Sequence, residues 1–428
     1  MIQTRLFVMM LLQLAIWGAY MPKLFPYMNQ LGFEPWQQSL VGSSWGAAAI
    51  LGIFFSNQFA DRNFSAERFL AVSNVIGGVA LLGCAFFTDF WSFFGCYLVF
   101  SLVFVPSMSV ANALAFANLR DPARHFGTIR MGGTIGWIMV SWPFFFLLSA
   151  DAGPDQLRLI FVVAAIVSFA FAAYSLTLPH TPPKRDGAGT DPLAWRKAIK
   201  LLGIPSVAVL FLVTFIDSTI HNGYFIMIDR FLTERVGIDA NVSMIVQSVG
   251  QVAEIVTMIV LGFVLIRLGW KWTMIVGILG HAARFLAFAF FPDSEPTTLL
   301  QFNMISGGAE GAVTISDHVL MIAGIQLLHG ICYAFFFATV YIFVDAAFPK
   351  DVRSSAQGLF NLLILGIGNV AASFLFPPLM AQWADPATGA VDFRTLFMVP
   401  AGMAFVAILL MAMFFRPAER APATVVAA

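Results

Sequence analysis

Residues 158–203 of the chain read RLIFVVAAIVSFAFAAYSLTLPHTPPKRDGAGTDPLAWRKAIKLLG. Residues 159–178 carry no charged side chain, and a helix needs about 20 apolar residues to cross the hydrocarbon core of a bilayer. Residues 179–203 instead hold prolines, glycines and basic side chains, which is typical of a connection exposed to water. This stretch predicts a membrane-spanning helix followed by a linker.

The composition of the whole chain agrees with a bilayer environment. Of the 428 residues, 59% are hydrophobic and 11% are charged, whereas soluble domains have about 45–50% apolar and about 25% charged residues. This excludes a soluble enzyme and a nucleic-acid-binding protein. The 23 basic and 23 acidic residues balance, so charge indicates no polyionic partner. The three cysteines lie within apolar runs and predict neither a disulfide framework nor a metal site.

Apolar stretches recur along the chain and predict an all-α membrane protein with twelve transmembrane helices. They lie at roughly 6–28, 39–60, 69–89, 92–117, 130–150, 158–178, 204–228, 242–266, 272–291, 319–344, 356–378 and 395–415. The linker divides them into a bundle of six helices at 1–178 and a second bundle of six at 204–428, with 179–203 between them. The outer connection from Pro292 to Asp317 is rich in Gly, Ser and Thr, and we expect a disordered or partly ordered flap there.

The basic residues predict the orientation of the chain. If the N-terminus is cytoplasmic, 17 of the basic residues lie in inner segments and only Arg158, Arg230, Arg235 and Arg394 lie in outer ones. Lysine and arginine in short loops favour the cytoplasmic side. We therefore expect both termini to be cytoplasmic.

A polar stripe marks the eighth predicted helix. Ser243, Gln247, Gln251 and Glu254 follow one another at spacings that place them on one helix face. Polar groups at bilayer depth cost about 2.5–3.5 kcal/mol to insert, so they require a partner or a polar ligand. Burial should favour the protonated form of Glu254, which would let this side chain take up and release a proton.

Three further helices carry polar or aromatic faces. Arg130, Thr134, Trp137 and Ser141 form a stripe on the fifth predicted helix, beside glycines at 132, 133 and 136 that allow close approach of another helix or a ligand. Arg130 begins this predicted helix, so it could instead be an interfacial anchor. The seventh helix carries Asp217, Thr219, His221 and Asn222, and the tenth carries His329 and Tyr333.

Two basic residues, Lys23 and Arg284, lie inside predicted helices without an assigned partner. Glu254 or Asp217 could supply one, and Arg284 is expected to form a structural ion pair. Asp217 and His221 are four residues apart, so their side chains can meet on one helix face. Any single polar residue could also simply bond to a neighbouring helix.

Together these side chains suit a neutral, hydroxylated and partly aromatic solute. Carboxylate, amide and guanidinium groups can bind hydroxyls and exocyclic groups, and Trp, Tyr and Phe faces can stack on a flat ring. A sugar or other polyol would also suit these side chains. They are also compatible with a membrane receptor that binds its ligand without transporting it. The six histidines are scattered, so no enzyme site is expected.

Several short motifs carry a resemblance to a known family. They are IWG at 16–18, ADR at 60–62, Pro106 with Asn112, RMGGTIGW at 130–137, LPHTPPK at 178–184, GQVAE at 250–254, LLHGICYAFFFATVYIFVD at 327–345 and RSSAQGL at 353–359. In this order along twelve helices, they resemble the nucleoside:proton symporters of the major facilitator superfamily.

The resemblance implies the major facilitator fold, alternating access and proton-driven import of nucleosides across a bacterial inner membrane. It implies no cofactor beyond the coupling proton, and we expect a monomer in the lipid bilayer. The implied substrate contacts are Arg130, Thr134, Trp137, Thr219, Asn222, Gln251, Glu254, His329 and Tyr333. Proton coupling is expected at Glu254, either alone or with Asp217 and His221.

The chain departs from this family pattern at three places. Ala334 stands where relatives often have an acidic residue, so a proton site is missing there. His329 stands where some relatives have Tyr, which could change the preference for base or sugar. The outer connection between the ninth and tenth helices is longer than the family pattern.

Overall fold

The computed structural model describes residues 2–52, 64–120, 122–182, 200–348 and 353–417. The Asp61–Arg62 turn and residues 183–199 of the predicted linker lie outside these described residues. The described helices are α1 (Ile2–Tyr20), α2 (Leu24–Gln30), α3 (Pro35–Leu51), α4 (Ala66–Phe86), α5 (Phe90–Asn118), α6 (Pro122–Ser141), α7 (Phe144–Leu147), α8 (Pro154–Leu157), α9 (Leu159–Ser175), α10 (Pro205–Arg230), α11 (Ala240–Ala289), α12 (Asp317–Cys332), α13 (Thr339–Ala347), α14 (Arg353–Asn361), α15 (Gly368–Gln382) and α16 (Phe393–Phe414).

Long apolar helices confirm the predicted all-α membrane fold class. Within the described ranges, nine helical segments are long and apolar enough to cross a membrane. One of them, α11, runs over 50 residues but breaks at Gly269, which has φ +72°. Glycine adopts this left-handed conformation at little cost, so Gly269 forms the turn between the eighth and ninth predicted helices.

The outward faces of these helices are apolar. Trp91 is 68% exposed and Phe86 is 65% exposed, and on α11 Ile259 is 77% exposed. Exposed apolar side chains of this size mark a surface that contacts something other than water. Acyl chains of a bilayer satisfy that requirement along the helices.

The fifth predicted helix begins earlier than expected. The sequence predicted 130–150, but α6 spans Pro122–Ser141 and the short α7 follows after Pro143. Proline lacks an amide hydrogen and so disfavours continuation of a helix. Arg130 therefore lies well inside α6 and does not begin it, which removes the reason for expecting an interfacial anchor there.

Glycines on α6 bring this helix against α1, as the spacing predicted. A Cβ atom at Gly132 would lie 2.7 Å from the Phe7 carbonyl oxygen, and one at Gly136 would overlap the backbone of Leu11. Only a residue without a side chain fits at these points. Close packing of α1 on α6 is therefore encoded by the glycines.

The outer connection is an ordered β-hairpin, so the expectation of a disordered or partly ordered flap was wrong. Strands β1 (Thr298–Ser306) and β2 (Ala309–Ser316) pair antiparallel. Gly307 and Gly308 join them with φ of +60° and +85°. Two consecutive positive φ angles are the requirement of a tight hairpin turn, and a Gly-Gly pair meets it.

The described chain forms two compact units. The first contains Met1–Gly187, Phe225–Ser248 and Thr298–Asp317, so the hairpin and the connected ends of α10 and α11 belong to it. The second contains Ala188–Tyr224, Val249–Thr297 and His318–Ala428. Within the first unit, the hairpin is held by the Gly307 amide, which donates to the Phe146 carbonyl over 3.0 Å.

Candidate functional site

Arg284 lies at the centre of a polar cluster in the second unit. Its side chain is fully buried. Nη1 donates to His329 Nδ1 over 2.5 Å and Nη2 donates to His281 Nδ1 over 3.3 Å. The guanidinium also sits 4.1 Å from the centre of the Tyr224 ring, which stabilises it by a cation–π contact.

The guanidinium fixes the tautomer of both imidazoles. Arginine is always a donor, so the Nδ1 atoms of His329 and His281 must accept and their protons must reside on Nε2. His329 Nε2 lies 3.2 Å from Gln251 Nε2. Because Nε2 of His329 carries the proton and two N–H donors cannot bond to each other, the Gln251 amide must turn by 180° to present its oxygen to this nitrogen.

Small residues bring α11 and α12 together at this pair. A Cβ atom at Gly250 would lie 3.0 Å from His329 Cβ, and a Cβ atom at Gly330 would lie 2.7 Å from the Glu254 amide nitrogen. The predicted polar face of the eighth helix thus meets the tenth helix at Gln251 and Glu254. Glu254 is half-buried, not fully buried as expected from the sequence.

The fully buried Asp217 contacts a histidine that the sequence argument did not assign to it. Asp217 Oδ2 lies 3.6 Å from His281 Nε2. Neither carboxylate oxygen has a hydrogen-bond donor within bonding distance among the described residues. His221, the partner predicted from the spacing of four, places its ring 5.3 Å from that of His329 and 5.2 Å from that of Phe337.

Aromatic side chains surround the histidines on the tenth predicted helix. After α12 the helix widens into a π-helical stretch at Tyr333–Ala338, and the Tyr333 ring lies 6.0 Å from that of His221. Such wide turns are frequent at functional sites. Ala334 is fully buried in an apolar cluster with Leu261 and Phe335, so this position holds no titratable group.

Asn222 and Thr219 bond within the helix bundle. Asn222 Nδ2 donates to the carbonyls of Ser218 (2.8 Å) and Ile364 (3.4 Å). Thr219 donates to the Phe215 carbonyl over 2.8 Å. Ile364 lies in a second π-helical stretch, Leu362–Ile367, in which the Leu363 carbonyl also accepts from Ser218 of α10 over 3.2 Å. Only the bond from Asn222 to Ile364 matches the simpler alternative of a bond to a neighbouring helix, since the other two lie within α10.

The predicted stripe of the fifth helix lies in the first unit. Arg130 and Thr134 are half-buried on α6, and Trp137 is 6% exposed. The Trp137 ring packs edge-on against Trp17 at 5.0 Å, and Trp17 stacks on Trp45 at 4.7 Å. The sequence analysis quoted Trp17 only as part of a motif and did not identify Trp45.

The other two residues of the eighth-helix stripe, Ser243 and Gln247, bind one member of a buried ion pair in the first unit. Lys23 Nζ lies 3.0 Å from Asp229 Oδ2, with both side chains almost fully buried. Ser243 and Gln247 donate to Asp229 Oδ1 over 2.7 Å and 2.8 Å. Lys23 and Asp229 line a cavity of about 320 Å³. Asp229 is therefore the partner of Lys23, in place of Glu254 or Asp217.

Sequence reasoning missed His281, Asp229 and Trp45, and for Arg284 it expected a structural ion pair, with Glu254 or Asp217 as the possible partner, in place of the bonds to His329 and His281. His281 and Arg284 are three residues apart on one helix face, which is the same signal that marked the stripes elsewhere. Asp229 ends α10 beside Arg230, where it resembles an interfacial residue in the sequence. Trp45 has no polar neighbour at helical spacing to distinguish it from a core residue.

Comparisons with known proteins agree with this arrangement. The chain is 31% identical over 421 residues to the putative nucleoside transporter YegT of Escherichia coli (strain K12), covering 96% of this chain and 93% of that protein. It is 28% identical to the xanthosine permease of the same organism, covering 95% and 94%. The crystal structure of the nucleoside transporter NupG has the same fold, with a TM-score of 0.80 at 22% identity over 97% of this chain and 99% of that one.

The family model described as nucleoside H+ symporter matches residues 1–420. This match extends over all of the described helices and agrees with the resemblance inferred from the short motifs. Its members are multi-pass membrane transporters, which confirms the prediction of a carrier in place of an enzyme. The chain therefore belongs to the nucleoside H+ symporter family.

Proposed function

We propose that this protein imports nucleosides by proton symport through alternating access. The family match over residues 1–420 carries the proposal. The substrate would be a nucleoside and the coupling ion a proton, with no other cofactor. The protein would act as a monomer in the inner membrane of a bacterium, with both termini in the cytoplasm.

The proposed architecture is twelve transmembrane helices in two bundles, at 1–178 and 204–428, joined by the linker 179–203. Nine described segments qualify as spans, and one of these is divided at Gly269. Helices α3 and α6 supply two further apolar helices at the predicted positions. These observations support twelve crossings.

Each unit by itself contains proposed substrate contacts. In the first unit, Trp137 would pack on the base while Arg130 and Thr134 donate hydrogen bonds. In the second, Tyr333 would pack on the base, and Gln251, Asn222, Thr219 and His329 would bond to polar groups of the sugar or base. The Gln251–His329 contact of 3.2 Å supports this assignment, since it holds an amide beside an aromatic cluster.

Protons would be taken up by Glu254, with Asp217 and His221 as further titratable groups. Glu254 lies one helical turn from Gln251, so a change in its charge would act directly on a substrate bound there. Coupling requires that the protonated protein binds nucleoside more tightly, or reorients more readily, than the deprotonated protein.

Competition for transport distinguishes nucleosides from sugars. Proteoliposomes containing the wild-type protein would take up labelled uridine under an imposed pH gradient, inside alkaline. Excess unlabelled nucleosides should abolish this uptake, and hexoses should leave it unchanged. Inhibition by hexoses but not by nucleosides would favour a sugar or polyol symporter, and binding without any flux would favour a receptor.

The proton role of Glu254 is tested by Glu254→Gln. This variant should retain uridine exchange across the membrane but lose accumulation against a gradient, because the amide cannot carry the proton. Glu295→Gln is the matched control, since Glu295 is exposed in the outer connection. Undiminished pH-driven accumulation by Glu254→Gln would contradict the assignment.

A further inference from the structure

We propose that Arg284 is a positioning residue that connects the charge of Asp217 to the orientation of the Gln251 amide. The inference rests on the proposed function, and it adds a coupling route through Arg284 and His281. The two terminal nitrogens of the Arg284 guanidinium donate to different histidines. One donates to His329, which contacts Gln251, and the other donates to His281, which faces Asp217.

The first step concerns charge balance. Arg284 and Asp217 are both fully buried, and a buried charge is stable only when an opposite charge compensates it. His281 lies between them, accepting from Arg284 at Nδ1 and facing Asp217 Oδ2 with Nε2 at 3.6 Å. Ionised Asp217 therefore provides a counter-charge to Arg284 through a shared imidazole.

The second step concerns where a proton can bind. Both oxygens of Asp217 lack a hydrogen-bond donor within bonding distance among the described residues. A buried carboxylate without donors loses little when it becomes neutral. The two imidazoles differ from Asp217, because each uses its Nδ1 lone pair to accept from Arg284 and cannot add a proton there without breaking that bond. Asp217 is thus the proton acceptor of this cluster.

The third step concerns the substrate. Arg284 holds His329 with its proton on Nε2, and Gln251 Nε2 lies 3.2 Å from that atom. Two donors cannot bond to each other, so the amide turns to present its oxygen to His329 and its amino group away from it. An amino group in that position suits an acceptor on the solute, such as a carbonyl oxygen or an unprotonated ring nitrogen of a nucleobase. Protonation of Asp217 releases Arg284 from this counter-charge, so the guanidinium holds His329 more firmly and the protonated protein binds the solute more tightly, as symport requires.

Other titratable groups face the same charges. His221 and Tyr224 approach from α10, His281 from α11, and His329 and Cys332 from α12. Glu254 follows Gln251 by three residues on α11. The test therefore changes Asp217 and Arg284 together, which removes both charges while the other groups stay in place.

The first experiment uses the double variant Asp217→Asn/Arg284→Gln. Removal of both partners leaves no unpaired buried charge, so this variant should insert and exchange uridine. Its KM for uridine should be about tenfold higher than that of the wild type, because Gln251 is no longer oriented. That KM should also change less with pH between 5.5 and 8.0 than the wild-type KM, with the remaining dependence coming from Glu254. A wild-type KM with a wild-type pH profile would overturn the inference.

The second experiment uses Arg284→Lys, which keeps the positive charge but cannot donate to two imidazoles in a fixed fork. The KM should again rise about tenfold, whereas its pH dependence should persist because Asp217 retains a cationic partner. A wild-type KM in this variant would overturn the positioning role. Arg267→Gln is the matched control, since Arg267 is exposed and contacts only the Phe263 ring in the described structure.

The wild-type protein separates failure of this inference from failure of the proposed function. If wild-type proteoliposomes neither bind nor transport nucleosides, the proposed function is wrong. If they transport nucleosides and both variants behave as the wild type, only the role of Arg284 is wrong.

Discussion

Replacement of Lys23 by methionine removes one partner of a buried ion pair and leaves a side chain of similar length. Lys23 Nζ lies 3.0 Å from Asp229 Oδ2, and the side chains are 1% and 2% exposed. Asp229 would then keep only its neutral donors, Ser243 and Gln247. We expect this variant, and Asp229→Asn, to be strongly destabilised.

The magnitude follows from the geometry. At 3.0 Å and an effective dielectric constant of about 20, the attraction between unit charges is about 5.5 kcal/mol. Desolvation of the two ions offsets most of this, so the pair as a whole stabilises little compared with two apolar side chains. Loss of one partner leaves the other charge buried, which costs about 3 kcal/mol or more. The double variant Lys23→Met/Asp229→Asn should therefore be close to the wild type.

Unfolding in mixed micelles with increasing SDS, followed by tryptophan fluorescence, measures these differences. Two single losses of about 3 kcal/mol each and a double variant near the wild type give a coupling energy of about 6 kcal/mol in the double-mutant cycle. The matched control is the surface pair of Arg158 and Asp155, which are 45% and 95% exposed and 3.8 Å apart, and whose removal should have little effect. Strictly additive effects of Lys23→Met and Asp229→Asn would refute the reasoning.

Two further predictions concern packing and pH. Gly136→Ala should lower the melting temperature, because the added Cβ would overlap the Leu11 backbone. Overpacking of this kind lowers the free energy of unfolding by about 1–3 kcal/mol. Gly127→Ala should cause no such loss, since nothing lies within 4 Å of a Cβ atom there. An equal loss at both positions would contradict the proposed α1–α6 contact. Hydrogen bonds from Thr395 lower the pKa of Asp392, the residue that caps α16, so Asp392→Ala should cost about 1 kcal/mol at neutral pH. This stabilisation is present above the unfolded pKa of about 3.9 and is lost as pH falls through the lower folded pKa. The stabilities of the wild type and Asp392→Ala should therefore converge in acid. A stability difference that grows in acid would contradict the assigned cap.

The sequence could predict the helices and the polar faces because both depend on local spacing. Runs of apolar residues identify a helix in a bilayer, and side chains three or four residues apart share a face whatever the rest of the chain does. The stripe of Gln251 and Glu254 and the close glycines of α6 were found in this way. Spacing alone does not say which partner a face meets.

Partners depend on tertiary contacts, and these are where the structure added most. Ser243 and Gln247 share a stripe with Gln251, yet they bind Asp229 while Gln251 binds His329. Asp217 was expected to meet His221 one turn away, but its contact is His281 on another helix. No local pattern connects residues 64 positions apart.

A hairpin turn and the beginning of one helix were predicted wrongly for a different reason. The Gly307–Gly308 pair between alternating residues is a hairpin signal, but it lay in a segment judged by its Gly, Ser and Thr content. The beginning of α6 was placed at Arg130 because the preceding residues are polar, although Pro122 is well suited to the first turn of a helix.

Substrate-dependent proton movement tests the central claim of symport most directly. Wild-type proteoliposomes in weakly buffered medium would receive uridine outside, while a pH electrode and labelled uridine record both fluxes. Proton symport predicts that the outer medium becomes alkaline as uridine enters, in fixed proportion, and that empty liposomes show neither flux. Entry of uridine without any movement of protons would contradict the account.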